Sequence, residues 1–335
     1  MSSPPIIELE PFRPRWPFIG GDLQTLRSHI LPGGRRPPEP DYERVDLPLA
    51  DGTGDRLVGS LSGLDTAASN APLVVLIHGL SGSQDSPYMR TTALELSRRG
   101  FPVLRLNLRG AGLSGATCRR EYNAGLTADL AQAIAALPDR LKDRPTAALA
   151  FSLGANMLLK WLGECGSNAP LIAAGSVSAP IDLAATSRSM RRRRNRPYQN
   201  ALLRDFSRQC ARPGAAITER ERAAIQSARD FYEIDTDFIA PRHGFDSADH
   251  YYQVCMALPY LAAIRIPTMV IHALNDPIVP SEAYRHYPWS DNPWLVPGLC
   301  RDGGHVGFHD VSGRWFIRQI ERLLTTIVGP VAPRH

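Results

Sequence analysis

Five short, largely apolar runs constrain this chain more than any other feature. They lie at 72–77, 101–107, 146–151, 171–177 and 268–273, and helix-compatible sequence separates most of them. Apolar stretches of that length, too short for helices and lacking polar alternation, read as strands buried on both faces of a parallel sheet. Strands alternating with helices imply an α/β fold, a mostly parallel central sheet flanked by helices. The runs at 44–49 and 57–61 alternate instead, with Asp51-Gly52 between them as a hairpin turn signal. Trp294 to Val296 is a further short strand candidate. Ser86-Pro87 is expected to start a helix that Gly100 stops, and Phe316, Ile320, Leu323 and Ile327 share one face of a last helix.

With 335 residues, the chain is long enough for one large domain with an insertion. Residues 1–43 are proline-rich and patternless and read as an arm, with Trp16, Phe18 and Leu23 as candidate anchors. Residues 44–180 and 263–335 carry the α/β pattern. Between them, 181–262 replaces strands with polar, arginine-rich, helix-compatible sequence and reads as a helical cap insertion. A cap there closes over the carboxyl ends of the strands, where open α/β sheets bind ligands.

The hydrophobic share of 43% and charged share of 21% belong to a globular protein. No apolar run reaches the roughly 18 residues that span a bilayer, and the N-terminus lacks signal-peptide character, so a cytoplasmic location is expected. Five scattered cysteines with no C-x-x-C pair argue against a disulfide framework or zinc site. Much of the net charge of +5 comes from Arg191, Arg192, Arg193 and Arg194. No aromatic residue or nucleic-acid motif accompanies them, which argues against nucleic acid. A solvated loop or helix end is the plain reading; transient contact with an anionic membrane surface is the alternative. The segment Asn107-Leu108-Arg109-Gly110-Ala111-Gly112 has neither phosphate-binding glycine pattern and reads as a turn shaping a pocket floor.

The chemistry gathers at Ser152. The strand ending at Phe151 gives way at once to a helix from Leu153, so Ser152 occupies a sharp turn flanked by Ala150 and Gly154. This approximates the Gly-x-Ser-x-Gly nucleophile elbow. Serine attacks only when a base removes its proton, and that base needs a carboxylate to orient it. Asp276 follows the strand at 268–273, and His305 lies in a glycine-flanked loop before the last helix, giving the order Ser, Asp, His. His272, inside a strand, reads as a packed, hydrogen-bonded core residue. Backbone N–H groups of Leu153 and Leu80 are the candidate oxyanion donors, and His78 braces the loop that carries Leu80. No cofactor or metal is implied by this set.

These residues resemble the AB-hydrolase 4, YheT-like esterase family of the α/β-hydrolase superfamily. The likeness runs through Gly21-Asp22-Leu23-Gln24-Thr25, His78-Gly79-Leu80-Ser81-Gly82-Ser83, Phe151-Ser152-Leu153-Gly154-Ala155-Asn156, Phe231 to Asp237 and Gly303-Gly304-His305-Val306-Gly307-Phe308. It implies an α/β-hydrolase fold and a serine carboxylesterase or acylglycerol lipase using Ser152, Asp276 and His305. Ala150 stands where the family has glycine, and Asp22 where the arm signature has histidine. An acyltransferase with the same triad and a non-catalytic ligand-binding shell are the rival functions. The cap aromatics Phe231, Tyr232, Phe238, Tyr251 and Tyr252 fit core packing at least as well as an acyl tunnel.

Overall fold

The computed structural model describes residues 4–30 and 41–331. The apolar runs become the centre of an eight-stranded sheet: β1 (Glu43–Pro48), β2 (Arg56–Ser62), β3 (Leu73–Ile77), β4 (Val103–Asn107), β5 (Thr146–Phe151), β6 (Ala173–Val177), β7 (Thr268–Ala273) and β8 (Leu295–Cys300). The spatial order is β1-β2-β4-β3-β5-β6-β7-β8. β1 and β2 form the expected antiparallel hairpin, β2 runs antiparallel to β4, and the strands from β4 to β8 are parallel. Every residue of β3, β4, β5, β6 and β7 is buried. That double-sided burial is why these strands carry no polar alternation. At about 1.5–3 kcal/mol for each large apolar side chain buried, it is the main force holding the sheet together.

Two apolar layers enclose the sheet. One includes Leu158, Leu162 and Leu130 from helices Leu153–Cys165 and Thr127–Ala135; the other includes Met89, Phe316, Ile320 and Leu323 from helices Pro87–Arg98 and Trp315–Val328. Ser86 stands at the start of helix Pro87–Arg98, but its hydroxyl accepts the Ser83 N–H (3.1 Å) and caps no helix amide. A third cluster, containing Phe206, Ile234, Phe238, Tyr251 and Tyr252, lies among helices between β6 and β7: Leu183–Met190, Arg196–Cys210, Glu219–Ser227, Phe231–Ile234, Ala240–His243 and Ala248–Cys255. Leu80 and Leu153 pack against this cluster, so it sits over the strand ends that carry the candidate site.

The arm departs from its sequence reading. Residues Gly21–Ile30 form a helix. Trp16 and Leu23, expected as anchors, are 80% and 44% exposed. Phe12 holds the arm instead, edge-on to Phe308 and Trp315, while Glu10 pairs with Arg318 and Arg322 of the last helix. The physical reason is that partly buried Ile7, Leu9 and Phe12, with these polar contacts, already fix the stretch against the C-terminal segment.

Candidate active site

Ser152 is pinned between two backbone ladders. Its N–H still pairs with Val177 of β6 (2.9 Å), while its carbonyl already accepts the N–H groups of Ala155 (2.9 Å) and Asn156 (3.1 Å). Joining strand to helix within one residue forces φ to 50°, a left-handed conformation that L-residues rarely adopt. Neighbouring backbone must then come close. A Cβ on Gly154 would lie 2.2 Å from the His78 carbonyl oxygen, and one on Gly79 would lie 2.9 Å from Ser152 Cβ. Ala150 is fully buried in β5, paired with Ile77 and Ser176.

The structure brings Ser152, His305 and Asp276 into one hydrogen-bonded line. His305 Nε2 lies 2.9 Å from Ser152 Oγ, and its Nδ1 lies 2.8 Å from Asp276 Oδ2. The other carboxylate oxygen of Asp276 accepts the N–H groups of Ile278 (2.8 Å) and Val279 (2.9 Å). Burial alone would raise the Asp276 pKa; His305, His272 and the backbone donor outweigh it and leave the carboxyl below its ordinary range. An ionised Asp276 receives Nδ1–H, which leaves Nε2 of the neutral imidazole free to accept the serine proton.

Leu80 and Leu153, the candidate oxyanion donors, line the same cavity as Ser152. In the loop after β3, Gly79 N–H donates to Tyr88 Oη (3.0 Å) and Ser81 N–H to Tyr122 Oη (2.8 Å). Among the described residues, the N–H groups between and opposite them, of Leu80 and Leu153, have no acceptor. His78 is buried behind this loop; its Nδ1–H donates to the Gly79 carbonyl (2.8 Å) and its Nε2 accepts the Leu108 N–H (3.0 Å). Burial pushes its pKa down to about 4, so it braces the loop as a neutral ring.

Sequence reasoning missed the supports of His305. Thr25 Oγ1 accepts the His305 N–H (2.8 Å) and donates to the Gly21 carbonyl (2.7 Å). Gln24, fully buried, accepts the His309 N–H (2.7 Å) and donates to the His309 carbonyl (3.1 Å). Ser178 Oγ accepts the Val306 N–H (3.0 Å). The Gly-Asp-Leu-Gln-Thr string was the available signal for the first two. Asp22 points elsewhere, accepting from Tyr198 Oη (2.8 Å) and Arg194 (2.9 Å).

Three other expectations need correction or placement. His272 stacks on Tyr284 with ring centroids 3.8 Å apart, and among the described residues neither ring nitrogen has a hydrogen-bond partner. Residues 107–112 do not line the cavity beside Ser152; Arg109 is instead the hub of a buried ion cluster with Asp51 (2.7 Å), Asp55 (2.7 Å) and Asp129 (2.6 Å). In the arginine run, Arg191 pairs with Asp230 and Arg194 with Asp22, while Arg192 and Arg193 are exposed.

A cavity of about 660 Å³ opens on Ser152 and His305. Leu80, Leu153, Leu183, Met190, Phe231, Ile234 and Ile239 give it a mainly apolar wall. Phe231, Tyr251 and Tyr252 face it while also packing in the cap, and Phe238 is wholly core.

The model of the alpha/beta hydrolase fold matches residues 72–310. The chain belongs to the α/β-hydrolase family. Its relatives include YheT of Escherichia coli (strain K12), 34% identical over 89% of this chain and 86% of that one. This hydrolase is also 31% identical to the medium-chain fatty acid ethyl ester synthase/esterase 2 of Saccharomyces cerevisiae, over 76% of this chain and 62% of that one. A yeast monoacylglycerol lipase is 28% identical over 87% of this chain and 68% of its own. Among solved structures, the Pyrococcus furiosus esterase Pf2001 shares the fold with a TM-score of 0.57 at 17% identity, covering 98% of each chain. No helix among the described residues is long and apolar enough to cross a membrane.

Proposed function

We propose that this α/β-hydrolase cleaves carboxylic esters through an acyl-enzyme on Ser152, as a short- to medium-chain carboxylesterase or acylglycerol lipase. The observation that carries the reading is the continuous line Asp276–His305–Ser152 at the edge of a largely apolar cavity. The names of the yeast relatives, an ester synthase/esterase and a monoacylglycerol lipase, support it.

In this mechanism His305 Nε2 takes the Ser152 proton as Oγ attacks the ester carbonyl. The developing oxyanion is held by the N–H groups of Leu80 and Leu153. His305 then gives the proton to the leaving alcohol, and water repeats the sequence to release the acid. Asp276 keeps the imidazole in the required tautomer and stabilises the imidazolium. Purified protein should be labelled by a fluorophosphonate and hydrolyse p-nitrophenyl esters, and Ser152→Ala should abolish both. Full esterase activity in that variant overturns the assignment. An alcohol in place of water would make the same site an acyltransferase, and product analysis with competing alcohols decides between them. On the same reading, exposed Arg192 and Arg193, flanked in sequence by cavity-lining Met190 and Pro197, meet an anionic lipid surface.

A further inference from the structure

We propose that Asp235 is a specificity-determining residue: its free carboxylate oxygen accepts a hydrogen bond from a hydroxyl group that the ester carries away from the scissile carbonyl. The inference rests on the ester-hydrolase reading and names the substrate class for that site.

Asp235 lines the same cavity as Ser152, at the point where helix Phe231–Ile234 widens into a π-helical turn, Asp235–Ile239. Such turns are rare and concentrate at functional sites. Tyr252, from helix Ala248–Cys255, donates its hydroxyl proton to Asp235 Oδ2 (2.6 Å), and Ser187 Oγ lies 3.0 Å from the same tyrosine oxygen. The carboxylate is therefore oriented by Tyr252, whose hydroxyl also meets Ser187 of helix Leu183–Met190. Its second oxygen, Oδ1, has no hydrogen-bond partner among the described residues.

Several other polar groups of the wall are already engaged. Tyr88, Tyr122 and Tyr251 hold backbone N–H groups, Tyr198 donates to Asp22, and Thr186 donates to the Asp182 carbonyl. Asp205, the other lining carboxylate, is half exposed and faces Arg208 at the rim. No cation pairs with Asp235 among the described residues, and Asp230 is the acid that acts on it. Burial pushes its pKa up to about 7 despite the tyrosine donor.

A hydroxyl donated to Oδ1 would favour the ionised form of Asp235, which only accepts hydrogen bonds, so the partner that fits it is a donor. A hydroxyl supplies one at small desolvation cost, whereas an ammonium must shed its water to enter a mainly apolar cavity. A plain alkyl group leaves Oδ1 unsatisfied, and an anionic group is repelled. The hydroxyl can belong to the acyl chain or to the alcohol, as in a partial glyceride.

The test compares matched esters on one protein preparation. A p-nitrophenyl hydroxyalkanoate is set against the unsubstituted alkanoate of equal length, and a monoacylglycerol against the propyl ester of the same acid. The hydroxylated member of at least one pair should have the higher kcat/KM by roughly ten- to hundredfold, mainly through KM. The pair that responds tells which part of the ester carries the hydroxyl. In Asp235→Leu the ratio should fall to about one, with fluorophosphonate labelling reporting a folded site. Should that variant fail to fold, Asp235→Asn, which keeps shape and a neutral acceptor, should lower the ratio by about fivefold. Ratios near one for both pairs in the parent, or a ratio unchanged in the folded variants, overturn the proposal. Dissociation constants for the same pairs on Ser152→Ala protein read Asp235 without turnover, so its failure is distinguishable from failure of the ester-hydrolase reading.

Discussion

Replacing Asp276 by asparagine tests how the site fixes the histidine tautomer. Asp276 Oδ1 is held by the N–H groups of Ile278 and Val279, and Oδ2 faces His305 Nδ1 at 2.8 Å. Asparagine has one oxygen, and the two backbone donors claim it; the flipped amide would set NH₂ against two N–H groups. The amide NH₂ then faces His305 Nδ1, so the ring must carry its proton on Nε2, where it cannot accept from Ser152. The expected loss is about 10⁴-fold in kcat, by analogy with the same exchange in a serine protease. At about 1.36 kcal/mol per decade, this corresponds to about 5.4 kcal/mol of transition-state stabilisation. Folding should change far less, by about 1 kcal/mol, since the backbone donors keep their acceptor. Steady-state hydrolysis of p-nitrophenyl butyrate, with denaturant unfolding on the same samples, reads both quantities. A folded Asp276→Asn protein with kcat within tenfold of the parent would refute the tautomer argument.

Thr25→Val leaves the His305 N–H without its acceptor and should lower kcat by roughly 10- to 100-fold, with Thr25→Ser restoring it; steady-state kinetics checks both. Gly154→Ala drives a methyl against the His78 carbonyl oxygen, backbone that cannot rotate away, and should cost about 3 kcal/mol in denaturant unfolding. Asp51 is held down at about 2: burial opposes ionisation, but Thr53 and Arg109 outweigh it. A depressed carboxyl stabilises the fold above its ordinary pKa of 3.8 and loses that contribution as pH falls toward about 2. Asp51→Asn should therefore lower the melting temperature at pH 5 and bring it close to the parent's at pH 2.

The sheet was legible because its strands are buried on both faces, which writes burial directly into consecutive residues of β3, β5, β6 and β7. Ser152 was legible for a related reason: the change from strand to helix texture is local and leaves no loop residue to spare. His272 shows the limit of such reading. Its burial followed from its strand, but its stacking on Tyr284, in place of a hydrogen bond, depends on a helix nine residues beyond β7. The arm helix escaped notice because a residue it buries is Gln24, a polar side chain that pairs with His309, 285 positions away. Periodicity cannot report a face that is held by hydrogen bonds.

By itself the sequence determined the strand–helix alternation, the elbow at Ser152, and the order in which Asp276 and His305 follow it. Those are properties of neighbouring residues or of chain order. Only the tertiary structure decided that His305 reaches both partners, that the Leu80 and Leu153 N–H groups are left without acceptors, and that Asp235 joins the cavity wall with one oxygen unpaired among the described residues. Each of these depends on which groups from distant segments have already taken the available hydrogen bonds, and that competition is settled in space.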